Sequence, residues 1–134
     1  QVFKPGSHGS TFSGNPLVCR AALAVIGVLE RGKYDRRAAQ LGERLLAGLR
    51  AALAGLDTVR EIRGQGLMLA IELDRPCQEI VTLAAERGLL VNVTAEKVIR
   101  LLPPLILSDE EADQIVRLLA ETVRAFVARA SNSA

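Results

Sequence analysis

The chain has 134 residues, of which 49% are hydrophobic and only 3% aromatic, a length that fits one domain with a real core and a composition too poor in rings for stacking on nucleic acid or sugar. Seventeen basic against fifteen acidic residues leave a net charge of +2, too even for a nucleic-acid footprint, and the arginines are interleaved with glutamates rather than massed. One histidine and two distant cysteines, Cys19 and Cys77, make no zinc set, and no apolar run approaches bilayer length; the expectation is a cytoplasmic chain with neither nucleic-acid nor membrane partners.

The first stretch, Lys4 to Pro16, crowds Gly6, Gly9 and Gly14 among the hydroxyls of Ser7, Ser10, Thr11 and Ser13. Such a segment suits an anion, most plainly a phosphate, because hydroxyls and freely placed N–H groups converge where the backbone is permissive. Its glycine spacing matches neither a Walker loop nor a dinucleotide fingerprint, so a polar linker capped into a helix is the competing reading. Asn15-Pro16 then starts a helix running to about Glu30, apolar on several sides and expected to be buried on more than one. Arg31-Gly32-Lys33 ends it, with the glycine just past the last turn.

A second helix covers about Tyr34 to Ala54. Its stripe is Leu41, Leu45, Leu49, Ala52 and Leu53, continued by Leu56, and Arg36, Arg37, Glu43, Arg44 and Arg50 read as a solvated face. Gly55 closes it. Val59–Arg63 and Leu67–Leu73 read as neighbouring strands meeting at Gly64-Gln65-Gly66, the second apolar except for Glu72. A third helix, Cys77 to Arg87, stops at Gly88, and Leu89–Val93 is the next strand. Thr94-Ala95-Glu96-Lys97 connects it to a short strand, Val98–Leu101, ended by Pro103-Pro104. Ser108-Asp109-Glu110-Glu111 is a capping box opening the last helix, which runs to about Arg129 before a fraying tail from Ser131 to Ala134. This order of elements predicts an α+β, two-layer small domain with a short, mostly antiparallel sheet covered by helices.

Candidates for chemistry are few. His8 reads as an exposed or hydrogen-bonded loop residue, and Cys19, on an alanine-rich helix, as core. Arg100 stands out because it interrupts an apolar strand directly before two prolines. Its guanidinium fork matches a carboxylate, either that of a substrate or that of an internal glutamate. Arg63, before Gly64, is a similar case and also suits a structural contact within the strand turn. No serine, histidine and acid set is arguable from spacing, and neither cysteine has the basic surroundings of a nucleophile.

Three motifs, His8-Gly9-Ser10-Thr11-Phe12-Ser13-Gly14-Asn15-Pro16-Leu17, Arg63-Gly64-Gln65-Gly66-Leu67-Met68 and Ile99-Arg100-Leu101-Leu102-Pro103-Pro104-Leu105, resemble in order and spacing the C-terminal part of class III, pyridoxal-phosphate-dependent aminotransferases. Among them the likeness is nearest the acetylornithine branch of arginine biosynthesis, and it extends from Gln1 to about Arg129. The resemblance implies a fold type I homodimer using pyridoxal 5'-phosphate. Thr11, with Ser10 beside it as a secondary candidate, would bind the cofactor phosphate of the neighbouring subunit. Arg100 would bind the α-carboxylate of an amino-acid substrate or of 2-oxoglutarate. Ser13 stands where a glycine is common in the family, and a small residue is kept.

The resemblance also divides the chain into residues 1–31, cofactor-phosphate loop and interface helix, and residues 32–134, the small domain. In the family, the lysine that bonds the cofactor and the aspartate that pairs with its pyridine nitrogen lie upstream of this region, and Lys4, Lys33 and Lys97 do not match that lysine's motif. The chain alone is therefore expected to be inactive, a portion of a longer enzyme. Ornithine, succinylornithine and 4-aminobutyrate aminotransferases are alternatives within the class. A non-enzymatic α+β interaction module is the alternative outside it.

Overall fold

The computed structural model of the chain describes residues 4, 6, 7 and 9–132. His8, Ser133 and Ala134 lie outside the described residues, and with them the loop reading of His8 and the last half of the tail expected to fray; its first half, Ser131 and Asn132, is instead still helical, past the expected end at about Arg129. The chain divides into two compact units, one ending at Asp35 and the other beginning at Arg36.

The first unit is dominated by helix α1, Pro16–Arg31. Asn15 caps it as its sequence position suggests: Asn15 Oδ1 accepts from the Val18 N–H at 3.0 Å, and Asn15 Nδ2 donates to the Phe12 carbonyl at 2.7 Å. The burial expected for this helix is not found. None of its residues is buried, and Leu17 (80% exposed) and Leu23 (60%) are open to solvent. Cys19 is exposed with them, not part of a core. An apolar pattern on several sides states that a helix needs covering; it does not state that the cover lies in the same chain. The helix end also differs from expectation. Gly32 keeps right-handed dihedrals, and the left-handed residue is Lys33 at φ 50°. A Cβ on Gly32 would meet the Tyr34 ring, so a larger residue there needs that side chain to shift.

The second unit holds helix α2 (Tyr34–Ala52, whose first two residues precede the division), strands β1 (Val59–Gln65) and β2 (Met68–Leu73), helix α3 (Glu79–Ala85), strands β3 (Asn92–Thr94) and β4 (Val98–Leu101), and helix α4 (Asp109–Asn132). The strands form one sheet in the order β1-β2-β4-β3, every pair antiparallel. The α+β expectation with an antiparallel sheet is therefore met. Alternation decides the faces. Leu69, Ile71 and Leu73 of β2 and Ile99 and Leu101 of β4 are buried in one core with Leu41, Leu45 and Leu49 of α2, Ile80 and Leu83 of α3, and Leu119 and Val123 of α4. The intervening residues, Met68, Ala70, Glu72 and Arg100 among them, point to the opposite face.

Two approaches set the position of the β1–β2 hairpin. Gly66 turns it at φ 53°, and α2 passes so close that a Cβ on Gly42 would collide with the Gly66 carbonyl oxygen. The face of α2 expected to be solvated is exposed at Arg36, Glu43, Arg44 and Arg50, and two of its arginines also tie the helix to the start of α4. Arg37 pairs with Asp109 at 2.6 Å, and Arg44 grips Asp113 with Nε at 2.8 Å and Nη2 at 2.7 Å. The Arg44 hydrogen bond holds the Asp113 carboxyl below the usual aspartate range. The capping box is formed as expected: the Ser108 N–H donates to Glu111 Oε2 at 2.8 Å, and the Glu111 N–H to Ser108 Oγ at 3.1 Å.

Helix α3 and strand β3 both start later than their apolar runs suggest. Cys77 precedes the helix, buried, with its N–H bonded to the Glu96 carbonyl, and burial pushes its thiol pKa up. After Gly88 (φ 77°), Leu89 donates back to the Ala84 carbonyl and is itself buried. Leu89 is thus engaged in closing the helix, and the ladder with β4 begins only at Asn92. Between β3 and β4 the turn places two non-glycine residues, Ala95 (φ 47°) and Glu96 (φ 62°), in the left-handed region, at a cost of about 1 kcal/mol or more each.

Candidate functional site

Arg100 lies in an interior strand, opposite Ala70 of β2 on one side and Asn92 of β3 on the other. Ile99 and Leu101 face the core, so pleating turns Arg100 onto the open face. Ala70 also stands opposite Arg63 of β1, and one row across the sheet therefore reads Arg63, Ala70, Arg100, Asn92. With only a methyl at Ala70, the row has a floor between two guanidinium-bearing walls. A hollow of about 620 Å³ opens there, lined by both arginines together with Gln65, Met68, Thr94 and Val98.

The two arginines are in opposite electrostatic situations. Arg63 Nη1 donates to Glu61 Oε2 at 2.7 Å and to Glu72 Oε2 at 3.0 Å, and Lys97 Nζ meets the other Glu72 oxygen at 3.0 Å. The hydrogen bond from Lys97, followed by that from Arg63, holds the Glu72 carboxyl below the usual glutamate range, while Glu72 in turn raises the Arg63 guanidinium. Arg100 forms no hydrogen bond or ion pair with any described residue, and it is exposed. Of the two partners left open by the sequence, the internal glutamate belongs to Arg63 and not to Arg100. Glu72 and Lys97 escaped sequence reasoning; the signal available was the single acid interrupting an otherwise apolar strand.

In the first unit, the hydroxyls of the polar stretch are also unequally engaged. Ser7 Oγ accepts from the Lys4 N–H at 2.9 Å, and Ser10 Oγ accepts from the Phe12 N–H at 3.3 Å. The Thr11 hydroxyl has no partner among the described residues, and Thr11 is exposed. Gly14 (φ 73°) bends the backbone between this segment and the Asn15 cap. A hydroxyl donor without an internal partner, in a segment with free N–H groups, fits a phosphate.

The model of the family described as Aminotransferase class-III matches residues 1–123. The chain belongs to the class-III aminotransferases. Over 128 residues it is 56% identical to acetylornithine aminotransferase 1 of Bordetella bronchiseptica, covering 96% of this chain and 33% of that protein. Over 122 residues it is 50% identical to the acetylornithine aminotransferase of Methanothermobacter thermautotrophicus, covering 91% and 31%. The solved structure of an ornithine aminotransferase from Plasmodium yoelii matches with a TM-score of 0.84 at 35% identity, over 92% of this chain and 34% of that one. The chain thus spans about a third of the length of the curated relatives it matches. The cofactor of class-III aminotransferases is pyridoxal 5'-phosphate, for whose phosphate the Thr11 segment has suitable donors.

Proposed function

We propose that this chain is the C-terminal portion of a pyridoxal-phosphate-dependent transaminase that exchanges an amino group between N-acetylornithine and 2-oxoglutarate in arginine biosynthesis, working as a cytoplasmic homodimer. The observation that carries the substrate-binding part is Arg100, an arginine without an acid partner among the described residues, facing a hollow. The names of the relatives at 50% and 56% identity support N-acetylornithine, and the likeness to an ornithine aminotransferase structure keeps ornithine as the second reading. Membership of the family speaks against a non-enzymatic interaction module.

In this reading residues 32–134 form the small domain, and its sheet presents the Arg100 fork to the α-carboxylate of each substrate in turn. Two parallel N–H···O bonds fix the acid's orientation as well as its position. Residues 1–31 supply the cofactor loop and an interface helix. Thr11 donates its hydroxyl to the phosphate held in the partner subunit, with Ser10 in support. Pyridoxal phosphate, when bound, supplies the carbonyl that takes up an amino group and the electron-withdrawing ring that eases loss of a proton from the neighbouring carbon.

Steady-state assays of the full-length enzyme with 2-oxoglutarate should give the highest kcat/KM for N-acetylornithine among N-acetylornithine, ornithine, succinylornithine and 4-aminobutyrate. Preference for any of the other three would replace the substrate assignment. The 134-residue chain alone should show no turnover, and measurable transamination by it would refute the division of labour. Thr11→Ala should raise the dissociation constant for pyridoxal phosphate about tenfold, as expected for one hydrogen bond to a charged group. Retention of the cofactor at wild-type level under limiting pyridoxal phosphate would remove Thr11 from the phosphate site.

A further inference from the structure

We draw no further inference here: the strongest candidate, the ion-paired cluster of Glu61, Arg63, Glu72 and Lys97 bordering the hollow on the open face of the sheet, belongs to the site already described, and nothing in the structure shows what covers that face.

Discussion

Replacing Arg100 with alanine in the full-length enzyme should raise KM for 2-oxoglutarate on the order of a hundredfold, the equivalent of about 3 kcal/mol, because truncation strands a desolvated carboxylate without its bidentate partner. Binding of pyridoxal phosphate should be nearly unchanged, since the hydroxyl assigned to the phosphate, Thr11, belongs to a separate unit of the chain. Arg100→Lys should recover only part of the loss, because an ammonium keeps the charge and forfeits the fork. Cofactor titration beside substrate kinetics checks the split. Equal losses of cofactor and substrate would identify Arg100 as structural.

The second large effect is on folding. Gly42→Ala should lower the melting temperature of the chain, because the added methyl meets the Gly66 backbone carbonyl, which cannot rotate aside as a side chain would. Overpacking of this kind costs about 1–3 kcal/mol, partly offset by up to about 1 kcal/mol from better helix propensity. A net loss near 1 kcal/mol corresponds to roughly 4–8 °C for a domain of this size. Gly48→Ala on the same helix is the control. There the nearest atoms are the Val116 methyls, the closest at 3.0 Å, which have some freedom to yield, so the change should be clearly smaller. Thermal unfolding followed by circular dichroism distinguishes the two, and equal melting temperatures would mean that the hairpin moves freely against α2.

Helix and strand order was legible in the sequence because this chain is well punctuated. Asn15-Pro16, Gly55, the Gly64-Gln65-Gly66 turn, Gly88 and the Ser108–Glu111 box each mark a boundary by local backbone chemistry, and local chemistry needs no knowledge of the rest of the fold. What was missed depends on distant partners. The ion pairs that Arg37 and Arg44 make from a solvated face could not be read because the aspartates they hold lie about 70 residues on. The start of β3 was misplaced because Leu89 is drawn back to cap α3, and α1 looked like core because hydrophobicity does not say which chain supplies the cover. The site follows the same division. Arg100 was conspicuous as a charge in an apolar strand, whereas its lack of an acid partner among the described residues, with Glu72 already claimed by Arg63 and Lys97, needed strand pairing to be seen.

Strand β4 has hydrogen-bonded neighbours on both sides, and this determines how long the candidate carboxylate site survives. A residue on a surface loop leaves its place whenever the loop fluctuates. Arg100 can do so through its backbone only when the ladder to Ala70 or to Asn92 parts, an opening of the kind whose free energy approaches that of unfolding the whole unit. The site should therefore vanish with the domain and not before it, and amide hydrogen exchange at residues 99–101 should be among the slowest in the chain.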